Sequence, residues 1–349
     1  MFEALLEAWD GEETVVRFDA PTRTWMFVCV HSTVLGPGAG GTRMKVYADP
    51  QDALHDGLRL SSAMTRKNAV AGLPLGGGKG VLGVPEVPQG TARRELLLRY
   101  ADLVESLHGS YWTACDMNTS PEDMDVIGER CRSVFGRTEA VGGSGSSAPS
   151  TALGVYHGIR AAVPFAFGDD SLEGRTVLIQ GVGAVGRILA EQLASDGARL
   201  IVSDIDDARA RKAADAVGAD VVPAADAIAT ECDVLSPCAT GGVLSAETIP
   251  RLRCRIVAGA ANNQLETPED AERFAEHGIL YAPDYVVNAG GIIHLTSLEM
   301  LDEDEAKRDE RVEGIASTLA EVFERSAREG VSTGTAAERM AADRLGGVR

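Results

Sequence analysis

Thr176-Val177-Leu178-Ile179-Gln180 runs without a break into Gly181-Val182-Gly183-Ala184-Val185-Gly186, and Ile188, Leu189 and Leu193 follow at helical spacing. An apolar strand, a glycine turn and a helix in that order commit this half of the chain to a parallel sheet with helical crossovers. Each glycine has a separate job: Gly181 permits a tight turn, Gly183 lets the backbone approach a pyrophosphate, and Gly186 packs helix on strand. The helix N-terminus, with Val182, Ala184 and Val185 in the turn, offers N–H groups and a positive dipole end to phosphates. Asp204 closes the next strand, 18 residues beyond Gly186. A carboxylate there accepts hydrogen bonds from ribose hydroxyls and repels a 2′-phosphate, which favours NAD over NADP, and Asp206 adds to the repulsion.

The rest of the chain divides around that unit. Further apolar strands are expected at Leu200–Asp204, Val234–Ser236, Ile256–Ala258 and near Ile279–Tyr281, with acidic helical segments after Leu301. Upstream, Gly142-Gly143-Ser144-Gly145-Ser146-Ser147-Ala148-Pro149 reads as a hinge. Before it come a hairpin over residues 14–33 turning at Asp19–Thr22, a helix after Pro50, and another from about Thr91 to Leu107 with the stripe Leu96, Tyr100, Leu103, Leu107. A third helix starts at Pro121, capped by Ser120, with Glu122 and Asp123 at its positive end. The expected domains are residues 1–140, rejoined by helices 330–349, and residues 141–329.

Composition excludes several function classes. A net charge of −19 opposes binding to nucleic-acid phosphates or anionic lipid. No apolar run reaches the roughly 18 residues of a membrane span, and Met1-Phe2-Glu3-Ala4 lacks a secretory leader's basic start, so a cytoplasmic location is expected. The six cysteines form no Cys-x-x-Cys pair and read as reduced thiols. No His, Cys or carboxylate cluster has metal-ligand spacing.

The most unusual stretch is Ala63 to Gly80, where Lys67 and Lys79 bracket an apolar, glycine-rich turn in a chain with only five lysines. It is not a nucleotide-triphosphate loop: position 73 is Leu and position 80 is Gly, so the first glycine and the metal-binding hydroxyl are both missing. A lysine buried among glycines near a second cation has its pKa lowered and can take up a proton. Lys67 is a candidate for that cation. Asp116, just before the Ser120 cap, brings a carboxylate that serves either chemistry or local capping.

Together these residues resemble the glutamate/leucine/phenylalanine/valine dehydrogenases. The resemblance covers roughly residues 10 to 345 and is carried by Gly36-Pro37, Gly40-Gly41-Thr42-Arg43, the lysine segment, Thr113–Asp125, the glycine turn, Gly259–Asn263, Tyr281–Tyr285 and Asn288–Gly291. It implies an N-terminal α/β substrate domain and a Rossmann-type domain with a catalytic cleft between them. By the same resemblance Lys79 is the catalytic base, Asp116 assists proton transfer and Lys67 binds the substrate carboxylate. Gly41, Ala39, Ala114, Asn262, Ile292 and Leu295 then line the substrate, while Thr151, Asn262 and the Cys238-Ala239-Thr240 loop meet the cofactor.

The implied reaction is NAD-dependent, reversible deamination of a hydrophobic L-amino acid to a 2-oxo acid and ammonia, by a homo-oligomer. Glutamate-specific members carry a lysine where this chain has Ala39, and an alanine cannot pair a buried side-chain carboxylate. Asp116–Thr119 and Ile293–Leu295 look like phenylalanine members, whereas Ala114, Ile292 and Asn262–Leu265 look like branched-chain members. The reading leans to phenylalanine. The alternatives are a glutamate or other amine dehydrogenase on the same scaffold, and a non-catalytic NAD-binding regulator, which would not need Lys67, Lys79 and Asp116 together.

The acidic, lysine-poor composition fits salt adaptation or an arginine-favouring genome equally. Salt adaptation predicts activity that rises with molar KCl; full activity and stability in low salt leaves codon bias as the cause.

Overall fold

The computed structural model describes residues 2–346, so the expectations at Met1 and at residues 347–349 lie outside the described residues. The chain forms two compact units, residues 1–146 with 295–303 and 342–349, and residues 147–294 with 304–341.

The first unit contains α1 (Phe2–Trp9), β1 (Glu13–Asp19), β2 (Thr24–Ser32), β3 (Gly38–Lys45), α2 (Pro50–Val70), β4 (Gly76–Gly83), α3 (Gly90–Glu105), β5 (Tyr111–Cys115) and α4 (Pro121–Gly128). Its sheet runs β1-β2-β4-β3-β5. β2 shows why both faces are covered. Met26, Val28 and Val30 pack with Leu96, Tyr100 and Leu103 of α3 on one side. Phe27 and Cys29 pack with Leu54 and Leu58 of α2 on the other. Alternate residues of a strand point to opposite faces, so a strand covered twice is apolar throughout. The hairpin lies where the sequence puts it, and α4 carries the full capping box between Ser120 and Asp123.

The glycine-rich segment is the main departure. Read as a turn, it is β4, paired antiparallel with β2 and parallel with β3 in the middle of the sheet. Glycine is a poor strand former by itself; contact with neighbouring backbone overrides that preference here. A Cβ added at Gly77 would lie 2.3 Å from Thr65 N and 2.4 Å from Ser61 O, both in α2. One at Gly76 would lie 1.8 Å from Ser32 O, and one at Gly80 2.1 Å from the Tyr100 hydroxyl. β3 and β5, for which the sequence reading had no strand, pair alongside.

The second unit contains α5 (Ala148–Phe167), β6 (Thr176–Gln180), α6 (Ala184–Ser195), β7 (Arg199–Ser203), α7 (Asp207–Val217), β8 (Asp220–Val221), β9 (Val234–Pro237), β10 (Ile256–Val257), α8 (Asp270–Glu276), β11 (Leu280–Tyr281), α9 (Asp284–Val287), α10 (Gly290–Leu295), α11 (Glu305–Glu313), α12 (Ile315–Glu329) and α13 (Thr333–Arg344). Every strand pair is parallel, in the order β11-β10-β9-β6-β7-β8. The order reverses at β6, which makes the sheet doubly wound with its switch point between β6 and β9. Among the described residues no helix is long and apolar enough to cross a membrane.

Residues 330–341, expected with the first unit, pack in the second. Thr333 donates to Tyr281 O at 2.7 Å and Ser332 to Glu272 at 2.6 Å. From Ala342 the chain is back in the first unit, where Arg344 donates to Ala69 O at 3.3 Å and to Val70 O at the end of α2. Leu295–Glu303 also belongs there. Its π-helical turn presents Glu299, which accepts the N–H groups of Gly136 and Ser144 at 3.0 Å.

The approach of β4 to α2 gives a direct expectation. Gly77→Ala lowers unfolding stability by about 3 kcal/mol, as overpacking against backbone does. Gly72→Ala, at φ +65° with no atom within 4 Å, costs only about 1 kcal/mol of left-handed strain. Urea unfolding of both variants checks this, and equal effects would refute the steric account.

Candidate active site

Lys79 sits on β4 opposite Cys29 of β2 and is 5% exposed. Its Nζ lies 3.0 Å from Asp116 Oδ2. The same oxygen accepts Nε of Arg43 at 2.8 Å. Arg43 projects from β3, and its Nη1 donates to Asp56 Oδ2 at 2.8 Å. Asp56, on α2, also accepts the Tyr47 hydroxyl at 2.7 Å and Arg59 at 2.9 Å. The result is a chain of alternating charge, Lys79–Asp116–Arg43–Asp56–Arg59, assembled from one strand, one loop, a second strand and a helix.

Backbone packing fixes this chain. An added Cβ at Gly41 would lie 2.3 Å from Cys115 O and 2.9 Å from Asp116 Cβ, so glycine lets β5 deliver Asp116 close to β3. The Thr119 hydroxyl accepts from Asp116 N–H at 2.9 Å and donates to Thr42 O at 2.8 Å. Beneath it, the Thr42 hydroxyl meets those of Tyr100 and Thr113 at 2.6 Å, and Tyr111 donates to Gly40 O at 2.6 Å. Asp116 therefore spends its carboxylate on two cations, not on capping a helix.

The electrostatics follow from burial and neighbours. Burial pushes the Lys79 ammonium below the usual lysine range; the attraction of Asp116 opposes this, and the positive charge of Arg43 adds to it. Burial alone would raise Asp116, but Lys79 and Arg43 together hold it below the usual carboxylate range. Sequence reading had Lys67 as the candidate second cation. Arg43 is a cation bonded to this pair, and Lys67 is half-buried in the last turn of α2. Arg43 stood in a quoted motif, but nothing local marked Asp56, 13 residues on, as its partner.

Of the other first-unit residues named from sequence, Ala39 is wholly buried, between Gly77 and Trp112 in register, and Ala114 is buried opposite Gly41. Leu295 is half-buried and passes near Gly136.

In the second unit the glycine turn follows β6 at the switch point. Gly181 has φ +96°, and an added Cβ would lie 2.7 Å from that of Ala239 in the neighbouring loop. At Gly186 it would lie 2.0 Å from Gly181 O. At Gly183 it meets nothing within 4 Å. Two glycines thus serve packing, while the third faces open space at the start of α6. Cys238 N–H donates to Gln180 O at 2.7 Å, which brings its loop beside the turn, with Ala239 and Thr240 exposed.

Asp204 is buried at the end of β7, accepting from Val182 N and Asp206 N at 3.0 Å each. Burial pushes it up; those two N–H groups and Arg209 hold it down. Arg209 lies 3.3 Å from Asp204 and 3.4 Å from Asp206, so the repulsion expected from the two carboxylates is partly offset by a cation that the sequence reading missed. Thr151, in the first turn of α5, donates to Ser147 O at 3.0 Å. Exposed Asn262 accepts from Asn288 Nδ2 at 3.0 Å, and Ile292 is half-buried on α10.

Asp56 and Asp116 both ionise more readily in the folded protein than unfolded. The unfolded chain then binds more protons in acid, so their contribution to stability is full above about pH 5 and lost as pH falls through the folded values. Asp116→Asn flattens that acid loss; urea midpoints measured from neutral to acid pH should show the shallower slope, and an unchanged slope would count against the assignment.

Residues 22–133 match the family profile described as Glu/Leu/Phe/Val dehydrogenase, dimerisation domain. Residues 142–210 and 203–348 match Glutamate/Leucine/Phenylalanine/Valine dehydrogenase. A leucine dehydrogenase of Thermoactinomyces intermedius is 44% identical over 97% of this chain and 92% of its own. A valine dehydrogenase of Streptomyces albus is 42% identical over 97% and 93%. The crystal structure of L-tryptophan dehydrogenase from Nostoc punctiforme superposes with a TM-score of 0.86 at 37% identity, covering 99% of both chains. A lysine–aspartate pair in one unit, a glycine turn at the switch point of the other, and similarity running the length of the chain agree: this protein belongs to the glutamate/leucine/phenylalanine/valine dehydrogenase family.

Proposed function

We propose that the protein catalyses reversible, NAD-dependent oxidative deamination of a hydrophobic L-amino acid to the 2-oxo acid and ammonia. The observation that carries this is the buried ammonium of Lys79, 3.0 Å from Asp116 and depressed by burial toward proton exchange. A lysine solvated on a loop could not act as a base near neutral pH; one desolvated in this way can.

The roles follow from the chemistry. Lys67 pairs with the substrate α-carboxylate. Asp116 or a water chain takes a proton from the substrate ammonium, which must be neutral before its carbon can lose hydride. The bound nicotinamide supplies the hydride acceptor. Lys79 then takes a proton from the water that attacks the resulting iminium carbon, and collapse of the carbinolamine releases ammonia. The glycine turn of the second unit, open at Gly183, holds the pyrophosphate, and Asp204 with Asp206 favours an unphosphorylated ribose. Thr151, Asn262 and Cys238–Thr240 complete the nicotinamide side. Ala39 leaves a side-chain carboxylate without a counter-ion, so glutamate is a poor substrate. Relatives named for leucine, valine and tryptophan support an apolar pocket that takes branched or aromatic side chains. The match of residues 22–133 to a dimerisation domain supports a homo-oligomer built through the first unit.

Initial rates with NAD and single L-amino acids (Phe, Trp, Leu, Val, Ile, Met, Glu) test the proposal. Expected are turnover of one or more apolar substrates, none of Glu, a preference for NAD over NADP, and a loss of at least ~10³-fold in kcat for Lys79→Ala. Glutamate preferred over every apolar substrate, or activity surviving Lys79→Ala, would overturn it.

A further inference from the structure

Lys79 and Asp116 alone would make a closed ion pair. A buried carboxylate whose one counter-ion is an ammonium holds the proton on that ammonium, because deprotonation strands an uncompensated charge. That arrangement suits a structural bridge and not a base. The observed site is different: Asp116 Oδ2 receives both Lys79 Nζ at 3.0 Å and Arg43 Nε at 2.8 Å, and Arg43 is anchored through Nη1 on Asp56 at 2.8 Å. Arginine stays charged throughout the accessible pH range, and its planar fork can bond two carboxylates at once.

We propose that Arg43 is the positioning and charge-balancing residue of this site: by bridging Asp116 and Asp56 it gives Asp116 a permanent counter-ion and thereby frees Lys79 to exchange its proton. The inference rests on the proposed deaminase reading, in which Lys79 is the base.

The charges make the point. With Lys79 neutral, Asp116 and Asp56 face Arg43 and the more exposed Arg59, and the cluster balances. With Lys79 protonated it carries one excess positive charge inside the protein. Remove Arg43, and Asp116 loses the permanent cation of its pair with Lys79.

The remaining groups around Lys79 do not substitute for Arg43. Across β2, the Cys29 thiol is pushed up to about 12 by burial and stays neutral. His31, further along β2, is engaged with Thr65 of α2. On the α3 and β5 side, Tyr100 is pushed up to about 12 and Tyr111 well above its ordinary range, so both hydroxyls stay neutral. Tyr47 donates to Asp56 and is likewise held neutral by burial and by that carboxylate. Lys67, on α2, is assigned to the substrate carboxylate.

The test compares full-length wild type with Arg43→Gln, Arg43→Lys and Asp56→Asn. Two readouts are taken: the pH midpoint of Lys79 acetylation by limiting acetic anhydride, followed by peptide mass spectrometry, and the acid limb of kcat/KM. Loss of the arginine charge in Arg43→Gln moves both up by about one pH unit. Loss of the carboxylate in Asp56→Asn moves both down. Arg43→Lys keeps the charge without the fork, so its midpoint stays near wild type while kcat falls. Opposite shifts in Arg43→Gln and Asp56→Asn are not produced by mere loosening of the fold. Unchanged midpoints, shifts of one sign, or an Arg43→Lys midpoint that follows Arg43→Gln would overturn the proposal. Should Arg43→Gln not fold, Asp56→Asn decides: a downward shift supports, and no shift or an upward one refutes. Lys79→Ala separates this from the wider reading. Its retained activity would defeat the assignment of Lys79 as the base while leaving the acetylation shifts to judge Arg43.

Discussion

Burying the Lys79 ammonium in the middle strand of the first sheet forfeits hydration that costs several kcal/mol to lose. The surrounding elements answer that loss in a definite order. β5 ends so as to bring Asp116 to the ammonium, β3 brings Arg43 to Asp116, and α2 brings Asp56 to Arg43. Each link needs strand and helix backbones closer than side chains normally allow, which is why glycine recurs at positions 40, 41, 77 and 78. The residues that look like a flexible loop in one dimension are the packing condition for a charge network in three.

The same contrast decides what could be read in advance. The glycine turn, the β2 hairpin partner, the α3 stripe and the Ser120 cap all depend on residues within a few positions of each other, and each lies in the fold within a residue or two of where the sequence puts it. β4 was misjudged because glycine's intrinsic preference points to a turn, while what selects glycine there is α2 and Ser32 pressing on the strand from elsewhere in the chain. Arg43 reaches Asp116 across 73 positions, and no local pattern couples them. Lys79 and Asp116 themselves were legible chiefly through resemblance: spacing offered a lysine among glycines and a carboxylate before a helix, and nothing in it said that they touch.

In the second unit the parallel sheet and its switch point follow from alternating strands and helices, and the turn lies where that logic places a dinucleotide. The acidic residue at the end of β7 has a second task that sequence did not show. Asp204 accepts Val182 N–H and so closes the glycine turn on itself, tying the carboxylate after β7 to the shape of the turn after β6. Arg209 leans on both Asp204 and Asp206, which makes the local charge less negative than a count of carboxylates suggests.

The density of backbone contacts around β4 also limits how such an enzyme can diversify. At Gly76, Gly77, Gly78 and Gly80 even a methyl group collides with main chain or with a buried tyrosine. The strand that carries Lys79 is therefore closed to evolutionary tinkering, and descendants of this scaffold that change substrate must do so at positions where a larger side chain does not meet this backbone. A library aimed at new substrates would waste its diversity on these glycines.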